Sequence, residues 1–243
     1  MTRLPEAAQS ISVPCSHACV FRFSDPQLKN ELSRVRSALQ EELALPLSSM
    51  LEDVVNSLPS IAKEVDKESP KVVFNEKNIR ILPGATNLVQ SVFTHLLRNA
   101  LDHGIETPEE RVAQGKPAQG TIVIDVSASM EDLAISLKDD GRGLDIDKLF
   151  AKGVDLGLFE YGEKPDVENI AKLIFKSGVS TKDTVTTISG RGVGMDAVKK
   201  FLNDKDGDIQ VKVSDSHGDG DYLPFEVLIT LPGCHFVALD KAA

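Results

Sequence analysis

The tightest constraint on this chain sits in residues 92–104, VFTHLLRNALDHG. Val92, Phe93, Leu96, Leu97 and Ala100 recur at steps of three and four, so a helix here turns one apolar arc toward a core. The same steps carry His95, Asn99, Asp102 and His103 onto a single stripe. A solvent-facing stripe ordinarily carries Lys and Glu. This one carries neutral or weakly titrating donors and acceptors with one carboxylate, an inventory suited to a polar ligand, a metal or both. A half-exposed helix with incidental polar residues satisfies the pattern equally well, and the segment by itself leaves the two readings level.

The rest of the chain frames that helix, expected over Ala85 to Asp102 with Gly104 as a left-handed cap. Upstream, Leu28, Leu32, Val35, Leu39 and Leu43 mark a helix from Pro26 that can pack on its own domain or pair with a second copy. A second helix is expected from Leu47 to Val65, kinked or broken at Pro59. Short strands follow at Lys71 to Phe74 and Ile79 to Leu82, and a weaker one is expected earlier, at Ala18 to Phe23. Thr107 and Pro108 open a short helix. TIVIDVSAS and DLAISLKDD alternate as a hairpin. Residues 144–187 mix short helical patterns with glycines and suggest a mobile cover. RGVGMDAVKKFL begins a helix, and strands close the chain near Asp208 to Val213 and Phe225 to Leu231. This order predicts a two-layer α/β sandwich with a mixed, mostly antiparallel sheet and helices on one face.

Composition narrows the function classes. A formal charge of −10 argues against duplex binding, which rests on lysines and arginines that neutralise phosphates. No window approaches the ~18 uninterrupted apolar residues of a membrane span, and MTRLPEAAQS lacks the form of a signal peptide, so a cytoplasmic location is expected. Cys15, Cys19 and Cys234 make no disulfide framework, and CSHAC with His17 falls short of a four-ligand zinc site.

Two glycine clusters carry the remaining signal. In DDGRG, Asp139 ends a strand where its carboxylate can accept a hydrogen bond from an exocyclic amine, and Gly141 and Gly143 let the backbone turn close to a flat ligand. An ordinary Asp-Gly turn reads the same way. In SGRGVGMD, Gly190, Gly192 and Gly194 precede a helix, where free N–H groups favour phosphate. No GKS or GKT follows, so it is not a Walker A loop, and a glycine-rich hinge remains the alternative.

In combination, an Asn-bearing helix stripe, an Asp-x-Gly-x-Gly strand end and a Gly-x-Gly-x-Gly helix start resemble the nucleotide-binding domain shared by histidine kinases, DNA gyrase, MutL and the heat-shock chaperones. Within that superfamily, HLLRNALDHGIETPEERVAQGKP, LKDDGRGLD, LIFKSGVST and SGRGVGMDAVKKF are most similar to the kinase domain of the CheA family of chemotaxis histidine kinases. The likeness covers about residues 45–232. It implies a Bergerat-type ATP-binding fold over residues 45–240, with an ATP lid at about 144–190, behind an N-terminal extension, residues 1–44, that carries a helix at about 26–45.

By the same resemblance Asn99 holds Mg²⁺ against the ATP phosphates and Asp139 reads the adenine amine. Gly141 and Gly143 bend past the base, and Gly190, Gly192, Gly194 and Met195 hold the lid and phosphates. Lys148, Lys152 and Lys182 are phosphate partners, and Phe175 matches an aromatic lid position or is simple core. Asp102 and His103 tune the site or touch phosphate, and Arg98 makes a supporting salt bridge. Gyrase-like and chaperone-like ATPases place a water-activating glutamate four residues before the asparagine. Here that position is His95, which can orient the γ-phosphate or exchange a proton with an acceptor.

The resemblance implies ATP-dependent phosphorylation of a histidine on a separate phosphotransfer domain, with a response regulator downstream, no nucleic-acid or membrane partner, and a homodimer as an open option. No phosphotransfer or coupling domain is evident, so the chain reads as part of a larger kinase or a stand-alone one. HGDGDYLPFEV stands where the family usually has Gly-Thr before its final strand, which removes a hydroxyl from the last box. A nucleotide-gated binding module without phosphoryl transfer is the alternative reading, and slow hydrolysis driving a conformational cycle is a third, disfavoured by His95.

Overall fold

The computed structural model describes residues 26–129, 131–162, 165–177, 179, 194–214 and 222–238. The strand expected at Ala18 to Phe23, Cys15, His17 and Cys19, and the candidate site residues Lys182, Gly190 and Gly192, lie outside them.

A five-stranded sheet runs in the order β1-β3-β4-β8-β6. It is built from β1 (Lys71–Asn75), β3 (Thr121–Ala128), β4 (Asp132–Asp139), β6 (Asp208–Val213) and β8 (Phe225–Pro232). β1 and β3 pair in parallel, Lys71 opposite Thr121, across the long helical crossover such a pairing needs. The other pairs are antiparallel. Strict alternation decides which face is covered: Ile122, Ile124 and Val126 of β3 and Leu133, Ile135 and Leu137 of β4 are buried, whereas Asp125 and Ser127 point to the open face. Two short strands, β2 (Ile79–Ile81) and β9 (Phe236–Ala238), pair with each other and tie the last described residues beside the first helices.

The helical layer centres on α4 (Thr86–Asn99), whose Val89, Val92, Phe93, Leu96 and Leu97 are all buried, as the spacing requires. Where α4 was expected to end at a left-handed Gly104, a π turn over Ala100–Gly104 takes its place, closed by Ile105 N–H donating to the Ala100 carbonyl at 2.8 Å. Gly104 does not have positive φ. A Cβ there would stand 2.9 Å from a carboxylate oxygen of Asp139, so the glycine serves close approach and not handedness.

Three further expectations are revised. The helix expected over Leu47 to Val65 steps at Leu51 into α2 (Leu47–Met50) and α3 (Glu52–Glu64), and Pro59 lies inside α3. Pro59 is exposed, so water can satisfy the carbonyl that its missing N–H leaves, while buried Leu58 and Ala62 hold the helix down. The stripe on α1 (Pro26–Leu43) does not pack on this domain: Leu32, Val35, Leu39 and Leu43 are exposed, Val35 at 56%. Residues 144–175 were expected to belong to a mobile cover. They form β5 (Leu144–Asp145), α6 (Ile146–Asp155), α7 (Val167–Ala171) and a 3-10 turn over Lys172–Phe175. Leu149, Ile170, Ala171, Leu173 and Phe175 from this stretch sit in the core. Their side chains were legible as short helices, but not that the sheet end left room to bury them.

Candidate functional site

A cavity of about 410 Å³ opens between the π turn, the end of β4, α6 and the start of α8 (Met195–Asn203). That size falls within the roughly 300–1,000 Å³ of small-ligand sites. Its walls are apolar, from Leu96, Leu137, Leu149, Ile174 and Val227, with polar groups converging from separate elements.

Asn99, Asp102 and His103 enter from α4 and its π turn, Asp139 from the last residue of β4, and Lys148 from the first turn of α6. Gly143, Gly194 and Met195 complete the expected residues on the cavity wall. Gly194 is the N-cap of α8, placing that helix start against the cavity. Gly141 stands behind the wall, where a side chain would overlap the Gly104 carbonyl, and Gly143 takes φ of +88° against the Leu223 carbonyl. The three others among the described residues lie outside the lining. His95 faces Phe201, their ring centroids 6.4 Å apart. Lys152 is on α6 beyond the wall, and Phe175 is buried with the Lys199 ammonium 5.6 Å from its ring centroid. Arg98 pairs with Asp102 at 3.7 Å.

Electrostatics separate these groups. Burial is the main cause that pushes the Asp139 carboxyl up to about 6. The Gly141 N–H, donating to Asp139 Oδ1 at 3.0 Å, opposes that rise, the charges of Asp140 and Glu106 add to it, and Lys116 opposes it. Burial, helped by the nearby Arg98 cation, holds His95 below the ordinary imidazole range, so the ring is neutral at neutral pH. Asp102 Oδ1 is buried without a hydrogen-bond partner among the described residues. With Asn99 less than one turn earlier on the same wall, that oxygen makes a hard-donor pair of the kind a Mg²⁺ ion bound mainly through phosphate oxygens accepts.

Two features of the site escaped sequence reasoning. The segment HGDGDYLPFEV, where a hydroxyl is missing, contributes Tyr222 and Phe225 to the wall, through β7 (Tyr222–Leu223) paired with β5. Behind Asp139 lies a partly buried ion cluster. Thr107 caps α5 (Pro108–Ala113) with a full capping box to Glu110, and this start aims Arg111 inward, fully buried. Arg111 Nη2 meets Asp140 Oδ2 at 2.9 Å and Nη1 meets Glu106 Oε2 at 3.1 Å. The alternating acid and base of ETPEERVAQGK was visible as charge, without any sign that it faces inward.

An α/β sandwich whose covered face opens into a cavity with a carboxylate at a strand end and an amide on the facing helix is a nucleotide-binding domain in form. The chain belongs to the family of histidine kinase-, DNA gyrase B-, and HSP90-like ATPases, whose profile matches residues 84–233. Chemotaxis protein CheA of Bacillus subtilis (strain 168) is 33% identical over 209 residues, which cover 82% of this chain and 30% of that protein. CheA of Rhizobium meliloti (strain 1021) is 30% identical over 204 residues, 83% of this chain and 27% of that protein. The chain thus spans less than a third of these relatives. Among solved structures, the catalytic domain of histidine kinase ThkA aligns at a TM-score of 0.47 and 14% identity, over 78% of this chain and 93% of that one.

Proposed function

We propose that residues 45–240 form an ATP-dependent protein-histidine kinase domain of a chemotaxis-like two-component system. It phosphorylates a histidine on a separate phosphotransfer domain that passes the phosphoryl group to a response regulator. The observation that carries this reading is the convergence of Asn99 and Asp139, forty positions apart, on one cavity, together with relatives named chemotaxis protein CheA.

In this reading Asp139 accepts the hydrogen bond of the adenine amine, and its position at the β4 end fixes where the base lies. Asn99 and Asp102 would hold Mg²⁺, which would supply positive charge against the phosphates. Lys148 and His103 contact phosphate oxygens, and the N-terminus of α8 at Gly194 adds N–H donors of the favourable polarity. The incoming imidazole nitrogen attacks the γ-phosphorus in line while the β–γ bridging oxygen leaves with ADP. Neutral His95, one turn before Asn99, can accept a hydrogen bond or a proton. The domain works in the cytoplasm in this reading, and the exposed stripe on α1 supports association of two copies.

One observation favours the alternative of a nucleotide-gated binding module: His95 packs on Phe201 instead of lining the cavity. Incubation with γ-labelled ATP, Mg²⁺ and candidate phosphotransfer domains separates the two. Acid-labile label on a partner histidine, lost in Asn99→Ala, supports the kinase. Tight nucleotide binding with no transfer to any candidate overturns it and supports the module.

A further inference from the structure

The turn that carries Asp139 is held from behind by Lys116, Arg111 and Thr121, none of which lines the cavity. Lys116 Nζ donates to the Asp140 carbonyl at 3.2 Å, to the Gly141 carbonyl at 3.0 Å and to Glu106 Oε1 at 2.7 Å. Arg111 Nη1 donates to the same Asp140 carbonyl at 3.2 Å, and Arg111 Nε to the Pro117 carbonyl at 2.7 Å. Asp140 Oδ1 accepts from Thr121 N–H at 2.8 Å, and Arg142 N–H donates to the Gly104 carbonyl at 2.9 Å. Every backbone unit from Asp140 to Arg142 is therefore tied to the body of the domain. Within this frame Gly141 N–H sets the Asp139 carboxylate through Oδ1.

A buried Arg111–Glu106 pair, flanked by the partly exposed Lys116 and Asp140, is costly to assemble and is weak evidence of stability for its own sake. Glu106 shows how tightly it is paired: burial alone would raise its carboxyl, yet its bond to Lys116, a backbone N–H and the charges of Lys116 and Arg111 hold it below the usual carboxylate range. What such a cluster supplies better than an apolar plug is direction. Cations donating to two successive carbonyls define where the Gly141 N–H points, and a displacement of a fraction of an ångström at Asp139 changes a hydrogen bond whose strength falls steeply with geometry.

We propose that Lys116 and Arg111 are positioning residues for base recognition, clamping the Asp140–Gly141 peptide so that the Asp139 carboxylate meets the adenine amine and not another purine edge. The proposal rests on Asp139 being the adenine contact.

The test compares the binding, in Mg²⁺ and by calorimetry, of ATP and of purine riboside triphosphate, which is ATP without the 6-amino group. The wild-type chain prefers ATP by about tenfold or more, the worth of a hydrogen bond to a charged acceptor. Lys116 is partly exposed, so Lys116→Met folds. It reduces the preference to under about threefold by weakening ATP alone, and Lys116→Arg restores it. Arg111→Met is measured beside it wherever its melting curve shows a folded chain, with the same loss expected. A Lys116→Met chain that keeps the wild-type preference, or weakens equally for both nucleotides, overturns the clamp. Asp139→Ala tests the underlying reading separately. If Asp139→Ala loses the preference while Lys116→Met keeps it, only the positioning role falls. If the wild type shows no preference, or Asp139→Ala retains it, the base contact itself is wrong and the clamp falls with it.

Discussion

Replacing Asp139 by Asn removes a charge from a site that raises its proton affinity, and the consequence for stability has a definite sign. The folded carboxyl titrates at about 6 against 3.8 in the unfolded chain, with burial the chief cause. Between those values the folded state holds the proton and the unfolded state does not, so stability falls as pH rises through this window. Below pH 3.8 both states are protonated and the charge costs nothing. Above pH 6 the full cost stands, at most about 3 kcal/mol at roughly 1.4 kcal/mol per pKa unit. Asn keeps the shape and the acceptor for Gly141 N–H, so it relieves that cost and little else. Urea unfolding of the nucleotide-free chain from pH 4 to 8 is the assay. Asp139→Asn is expected to be more stable than wild type at pH 8 by between about 1 and 3 kcal/mol, and the advantage to shrink to zero by about pH 4. A difference that is independent of pH, or one that grows on acidification, refutes the reasoning. A destabilising group retained at a cavity wall is what a binding role requires.

Asn99→Ala is expected to lower phosphotransfer by about a hundredfold or more while leaving the melting temperature within a few degrees, since it removes a cavity group and no core contact; radiolabel transfer and a thermal melt check both halves. Gly104→Ala puts a methyl against the Asp139 carboxylate, with an expected loss of about 1–3 kcal/mol in urea unfolding and weaker ATP binding by calorimetry. Thr107→Ala removes the side-chain half of the capping box and is expected to cost about 1 kcal/mol by the same unfolding measurement. Val35→Glu lies on the exposed stripe of α1, so unfolding of the isolated chain shifts by no more than about 0.5 kcal/mol, while sedimentation shows loss of any dimer that forms through that helix.

Local periodicity is strong where one residue's neighbours are its own chain neighbours, and there the reading from sequence stands. The helix through Val92 to Leu97, the hairpin of β3 and β4, the Thr107 cap and the strands at Asp208 and Phe225 were all legible from steps of two or of three and four. The spacing put Asn99, Asp102 and His103 on one stripe, but that Asp139 shares their wall was implied only by the family resemblance. Pattern failed where an outcome depended on what lies opposite. Lys152 carries a suitable side chain, yet it lies beyond the cavity, and of the two readings open for Phe175 the core position is the one observed. His95 shares the stripe by spacing, but Phe201, more than a hundred positions later, takes up its ring.

Sequence by itself determined the element types and the chemistry available to a site, since backbone preference and hydropathy act over a few residues. Tertiary structure alone decided that Arg111 points inward to hold Asp140, that Gly104 is glycine because Asp139 crosses it, and that Leu149, Ile170, Leu173 and Phe175 enter the core. Each of these turns on contacts between segments remote in the chain, and a long-range contact has no period to betray it.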